Sequence, residues 1–257
     1  MSKGLLIDTT RCIGCGACSD ECRVSNNLQG EATPDISANT FTVLMEQGDH
    51  YVRKLCMHCE DPSCASVCPV AALKKSPTGA VTYDTERCIG CRYCMIACPF
   101  DIPRYEWSSN TPYVRKCEMC PSRVNNGQET ACAEACYEGA TVFGEREELL
   151  EEARRRQQED PDTYADHIYG EDEAGGTSTL YLLPKDVEQL GLKAVTEGAA
   201  YPQLTWNVLS KIPSLALVLG TALGGVWWIT GRREEVSRAE ETENNRFGSG
   251  GDTDPQA

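Results

Sequence analysis

Sixteen cysteines sort without remainder into four quartets, all between Cys12 and Cys136. The first is Cys12, Cys15, Cys18 and Cys22. The second is Cys56, Cys59, Cys64 and Cys68, the third Cys88, Cys91, Cys94 and Cys98, and the fourth Cys117, Cys120, Cys132 and Cys136. The first and third share one spacing, C-x2-C-x2-C-x3-C, inside the near-identical stretches DTTRCIGCGACSDEC and DTERCIGCRYCMIAC. The second widens its middle gap by two residues, and the fourth places eleven there. A disulfide framework suits short secreted chains, whereas this one has 257 residues and regular spacing. Structural zinc uses separated C-x2-C pairs and has no need of tight quadruplets. Iron–sulfur ligation uses this spacing, with the fourth cysteine of a run binding the other cluster of a pair.

The spacing has a mechanical reading. Three thiolates wrap one face of a cubane on a tight loop, where Gly14 and Gly90 supply dihedrals closed to other residues. The fourth lies one helical turn on and points toward a neighbouring cubane. Pro69 and Pro99 follow their cysteines directly, while Arg23 and Tyr137 stand there in the first and fourth quartets. Strand-like runs accompany three quartets: GLLID before the first, GAVTYD before the third and GATVFG after the fourth. The second and third quartets are neighbours and should close on each other, leaving the first and fourth to pair across them. Four [4Fe-4S] clusters are therefore expected. Their ligands are Cys12, Cys15, Cys18 with Cys136; Cys117, Cys120, Cys132 with Cys22; Cys56, Cys59, Cys64 with Cys98; and Cys88, Cys91, Cys94 with Cys68.

These motifs, with CMHCEDPSC, CIGCRYCMIACPFDIPRY, KCEMC, GATVFGEREELLEEA and HIYGEDEAGGTSTLYL, resemble the four-cluster iron–sulfur subunits of membrane-bound respiratory oxidoreductases. The likeness is to the beta subunit of formate dehydrogenase and to the electron-transfer subunit of a periplasmic nickel–iron hydrogenase. It covers most of residues 4–192 and a helix near the C-terminus. The crosswise ligand pairing agrees with that family. Nitrate-reductase-like relatives carry a Trp and a three-iron cluster where this chain has Cys94, so the resemblance implies four-iron clusters throughout.

Beyond the cysteines, residues 145–159 read as a solvated surface helix with i,i+4 pairs Glu151–Arg155 and Glu152–Arg156. Residues Thr177–Leu183 alternate like a strand, preceded by a Gly175–Gly176 turn. From Ile212 to Thr230 no charge occurs over 19 residues, close to the roughly 20 that span a bilayer as a helix. Pro213 suits a first helical turn. Trp206, Trp227 and Trp228 flank the span as interfacial residues do. Ala216, Gly220 and Gly224 form a stripe that would let a partner's transmembrane helix approach.

Lys193 and Lys211 precede the span, and Arg232, Arg233, Arg238 and Arg246 follow it. The C-terminus is thus expected in the cytoplasm and the cluster domain on the outer, periplasmic side of a single-pass cell-membrane protein. The expected fold is α+β: two interleaved ferredoxin-like dicluster modules with a C-terminal single transmembrane helix. The expected divisions are 1–144 for the four-cluster domain, 145–205 for a helical and strand extension packed on it, 206–231 for the transmembrane helix and 232–257 for a disordered cytoplasmic tail.

A net charge of −15 argues against nucleic acid as a partner. No catalytic constellation, CxxCH haem site or nucleotide loop occurs. His58 reads as structural, and His50 and His167 as surface residues. Arg92 and Lys54, close to ligands in sequence, are candidates for raising a neighbouring potential.

The function expected is electron conduction through four clusters. The donor would be a catalytic molybdenum or tungsten formate-dehydrogenase-type subunit, and the acceptor a membrane cytochrome b or quinone-reactive partner. Residues 1–11 show no export signal, which favours the formate-dehydrogenase type, whereas CRYCMIACPFDIPRY and VAALKK look more like the hydrogenase type. The alternatives are the same role in a nickel–iron hydrogenase, a free-standing membrane-tethered polyferredoxin, and a soluble subunit whose apolar segment only docks.

Overall fold

A computed structural model describes residues 2–107, 109–110, 112–185 and 190–248. The elements run β1 (Lys3–Asp8), α1 (Ala17–Ser25), β2 (Val43–Gln47), β3 (His50–Lys54), α2 (Ser63–Ser66), β4 (Leu73–Lys75), β5 (Val81–Tyr83), α3 (Tyr93–Ala97), β6 (Arg104–Tyr105), β7 (Val114–Arg115), α4 (Pro121–Asn125), α5 (Ala131–Glu134), β8 (Thr141–Glu145), α6 (Arg146–Glu159), β9 (Tyr164–Tyr169), β10 (Thr179–Pro184), α7 (Tyr201–Leu209) and α8 (Ile212–Gly248). They form two units, residues 1–204 and 205–257.

The first unit is organised by a four-stranded sheet in the order β8-β1-β10-β9. Strand β1 sits inside it, parallel to β10 from Leu5↔Thr179 to Asp8↔Leu182 and antiparallel to β8. Side chains alternate across the sheet, as a pleated strand requires. Leu6, Leu180 and Leu182 pack with Leu149, Leu150 and Ala153 of α6 on one face. Leu5, Ile7, Tyr181 and Leu183 pack on the other with Cys18, Cys56, Cys132 and Phe100. The cysteine-rich layer thus serves as part of the core. Three short hairpins, β2–β3, β4–β5 and β6–β7, carry the chain between quartets.

Two readings of this unit change. The helix α6 is not a purely solvated one: Leu149, Leu150, Ala153 and Arg156 are buried against the sheet. Its Arg156 pairs with Glu152 as expected, but Arg155 turns to Glu152 and Glu159. Strand β10 is buried at all six positions, since α6 covers one face and the cysteine layer the other.

In the second unit, α8 carries the charge-free run. An 18-residue window within 201–246 reaches a mean hydropathy of 1.7, and none of it is buried. This is one helix long and apolar enough to be a candidate membrane span. The Thr221 and Thr230 hydroxyls donate back to Leu217 and Val226 carbonyls, both at 3.0 Å, which satisfies them without water. The expected disordered tail is corrected as far as Gly248. Residues 232–248 continue the helix, supported by Arg232–Glu235 and Arg238–Glu234 pairs one turn apart. Residues 249–257 lie outside the described residues.

Candidate metal centres

Each quartet sits on a loop leading into a short helix. In the first, Gly14 and Gly16 take φ of 71° and 81°, and α1 then presents Cys18 and Cys22 one turn apart, both buried. A Cβ on Gly14 would stand 2.6 Å from the Tyr51 ring, so only glycine lets the loop lie against β3. In the third quartet Gly90 (φ 68°) and Arg92 (φ 64°) repeat that path before α3.

The sulfurs gather in sets that mix quartets. Cys12, Cys15, Cys18 and Cys136 line one cleft together with Arg53. Cys22, Cys117, Cys120 and Cys132 line a second, beside Thr42 and Asn26. Burial pushes Cys59 well up, and the nearby Cys56, Cys98 and Cys64 sulfurs push the same way. Burial pushes Cys94 up to about 11, with Cys88, Cys91 and, more weakly, Cys68 adding to it. The sets also share packing, with Cys18, Cys132, Cys117 and Cys56 in one core cluster and Cys64 and Cys94 in another. Cys18 feels Cys132, Cys117 feels Cys56, and Cys64 feels Cys94.

Two kinds of observation test what such sets fit. A zinc held by four thiolates at about 2.3 Å would draw their sulfurs to roughly 3.8 Å apart. No three cysteine sulfurs lie mutually within 4.8 Å; among the described residues only His167, Glu173 and Glu197 bring ligand atoms that close. The sets are thus open enough for a cluster rather than a single ion. Backbone N–H groups aim at sulfur, as around Fe–S clusters: Ala72 to Cys68 (3.2 Å), and Gly90 to Cys88, Met119 to Cys117 and Thr141 to Cys136 (each 3.4 Å). Burial pushes the Cys22 and Cys64 thiols up to about 12, and a bound cationic centre would act against that push.

Exposure differs along the series. Cys18, Cys22, Cys56, Cys64, Cys94, Cys120 and Cys132 are buried, whereas Cys15 and Cys91 are exposed. Around Cys15 stand exposed Ile13 and Tyr137, and around Cys91 stand Ile89, Tyr93 and Ile96, the last 84 % exposed.

The basic residues differ from the expectation. Arg92 is exposed and lies over the Tyr105 and Trp107 rings, with its guanidinium carbon 5.3 and 5.2 Å from their centroids. Lys54 is spent on Asp35 at 2.8 Å. Besides Arg156, which pairs with Asp8 and Glu152, the buried cations are Arg53 and Lys116, each 2 % exposed, which sequence reading passed over. His58 is structural: fully buried, it accepts the Val81 N–H on Nδ1 at 2.9 Å and ties the second quartet's loop to β5. Burial, then Lys116 and Lys75, hold it well below the usual histidine range. Its Nε2 has no partner. His167 is half exposed and meets the buried Glu173 at 2.6 Å, while His50 opens β3.

Comparison with known proteins follows the same pattern. A 4Fe-4S dicluster domain family matches residues 49–146, and a 4Fe-4S binding domain family matches residues 5–25. A protein of Nitratidesulfovibrio vulgaris is 36 % identical over 94 % of this chain and 70 % of its own length. Hydrogenase-2 operon protein HybA of Escherichia coli O157:H7 is 40 % identical over 74 % of this chain and 73 % of its own. The iron–sulfur subunit of the nitrate-inducible formate dehydrogenase of Escherichia coli K12 is 38 % identical over 69 % and 67 %. Paired quartets on ferredoxin-like loops, followed by one long apolar helix, place this chain in the family of 4Fe-4S subunits to which HybA and the formate dehydrogenase iron–sulfur subunits belong.

Proposed function

We propose that the sixteen cysteines hold four [4Fe-4S] clusters in the crosswise sets expected from their spacing. These are set A (Cys12, Cys15, Cys18, Cys136), set B (Cys22, Cys117, Cys120, Cys132), set C (Cys56, Cys59, Cys64, Cys98) and set D (Cys68, Cys88, Cys91, Cys94). When bound, such clusters supply one-electron storage at potentials of roughly −700 to +450 mV. The carrying observation is shared packing: Cys18 of A, Cys132 and Cys117 of B and Cys56 of C lie in one core cluster, and Cys64 of C lies with Cys94 of D in another. Residues 1–204 leave no cysteine of the middle sets exposed and place Cys15 and Cys91 at the surface among apolar side chains. Those two ends suit docking to electron donor and acceptor. In this reading none of the described residues is assigned a catalytic role.

The donor is a catalytic molybdenum or tungsten subunit of formate-dehydrogenase type, and the acceptor a membrane cytochrome b or quinone-reactive subunit. The α8 helix anchors the chain in a single pass, cluster unit outside and C-terminus in the cytoplasm. The longer HybA match, 74 % of the chain against 69 %, favours a nickel–iron hydrogenase partner as the second reading. Anaerobic purification of the intact membrane complex with elemental analysis separates these. Molybdenum or tungsten supports the first, nickel the second, and no attached metalloenzyme a free-standing carrier. Iron far below about sixteen per chain would sink all three.

A further inference from the structure

A buried guanidinium with no carboxylate near it is costly unless another anion faces it. Arg53 is 2 % exposed, and among the described residues no Asp or Glu forms an ion pair with it. It reaches inward because β3 alternates: Lys54 turns out to Asp35, and Arg53 turns toward the cysteine layer. Its Nη1 donates to Thr141 Oγ1 at 3.1 Å and its Nη2 to Cys132 Sγ at 3.4 Å. Its Nε finds no partner. It lines the cleft of set A while bonding a sulfur of set B, and its charge acts on Cys18 as on Cys132.

Lys116 has the corresponding place one step on. It is also 2 % exposed and without an ion pair among the described residues. Its Nζ donates to the carbonyls of Val81 and Cys117. Its charge falls on Cys56 and Cys64 of set C, on Glu118, and then on Cys117 of set B. The other cations near cysteine are compensated or exposed. Lys75 pairs with Glu60 at 3.1 Å, Arg87 with Asp84 at 3.3 Å, and Arg92 lies outside on its aromatic pair.

From this placement we infer that Arg53 and Lys116 make set B, the set flanked by both buried cations, the most easily reduced centre of the chain. The inference rests on the ligand sets proposed above. Reduction adds one electron from the reductant to a cluster whose charge becomes more negative, with no bond broken. A fixed cation beside it therefore stabilises the reduced form. Arg53 acts on A and B, and Lys116 on B and C. The chain would then hold its first electron in the interior, away from either docking end.

The test is a potentiometric titration of the anaerobically purified complex followed by EPR. Arg53→Gln keeps donors and removes the charge. It should lower two midpoints, each by at least tenfold in reduction equilibrium, about 59 mV for one electron. Lys116→Gln should lower two. One signal should be common to both pairs, and it should be the first to appear in the wild type. Arg53→Lys should restore the wild-type order. No common signal, or a common signal that is not first, overturns the inference. If Lys116→Gln fails to take up iron, Arg53→Gln and the wild type together decide, because the first signal must be one that Arg53→Gln lowers, which that of set C is not. The first signal should broaden in two stages as neighbours on both sides are reduced, and broadening from one neighbour alone overturns the inference. Fewer than four cluster signals would instead remove the ligand sets themselves.

Discussion

The two copies of the cysteine motif run along the same backbone path in different surroundings. Asp8 and Asp84 each stand four residues before the first cysteine and pair with an arginine three residues on, Arg11 and Arg87. Gly16 and Arg92 occupy the same left-handed position before their helices. Yet Asp8 is fully buried and also receives Arg156 Nη1 and Tyr164 Oη, both at 2.9 Å, while Asp84 is 44 % exposed. The first copy is built into the central sheet and faced by Arg53, and the second lies at the surface with its arginine outside. The motif fixes where sulfurs stand. The neighbours fix charge, access to water and how much of the fold depends on the copy.

Substitution of the fourth cysteine in each copy should have the largest effect. Cys22→Ser should remove the cluster of Cys117, Cys120 and Cys132, and Cys98→Ser that of Cys56, Cys59 and Cys64. Iron analysis and EPR would show the loss, and disappearance of the cluster held by the mutated quartet's own first three cysteines would refute crosswise lending. Next in size is the aspartate pair. Asp8→Asn leaves Arg156 buried beside a neutral group and should cost about 3 kcal/mol, against under about 1 kcal/mol for the exposed Asp84→Asn. Equal losses in denaturant unfolding of the loaded protein would erase the contrast between the copies.

Smaller effects belong to the loops. Gly14→Ala adds a clash with Tyr51 to a left-handed backbone, so a cost of about 3 kcal/mol is expected, against about 1–2 kcal/mol for Gly90→Ala. In the second case the new Cβ meets only the Tyr105 hydroxyl at 3.2 Å. Unfolding midpoints check the ranking, and Gly90→Ala proving the worse would reverse it. At the last pair, Gly16→Ala meets no atom within 4 Å and should cost about 1 kcal/mol. Arg92→Gly should be near neutral, since relief of the backbone offsets a cation–π contact of about 0.5–1 kcal/mol. A loss above about 2 kcal/mol there would mean the aromatic stacking matters more than exposure suggests.

What could be read in the sequence was local. Quartet spacing, the strands beside Leu5, Val81 and Val142, the Gly175–Gly176 turn (φ 82° and 92°) and the apolar helix all show within a few residues of text. What escaped was set by pairing over long separations. Asp8 meets Arg156 across 148 positions and Arg53 meets Cys132 across 79. Proximity along the chain favoured Lys54 over Arg53, but adjacent strand residues face opposite ways. The same holds for α6. Its charges dominate its composition, yet Leu149, Leu150 and Ala153 fall on one side and bind the sheet. The tail from Arg232 reads as charged and polar, and one-turn charge pairs are what keep it helical.

The place of β1 sets a schedule for synthesis. It is made before both of its neighbours, lying between β8 and β10, the latter ending at Pro184. At ordinary elongation rates the ribosome needs on the order of tens of seconds to travel from one to the other. During that interval Leu5, Leu6 and Ile7 lack their parallel neighbour, Thr179–Tyr181 of β10. Maturation of this protein is thereby pushed toward the end of translation rather than proceeding from its beginning.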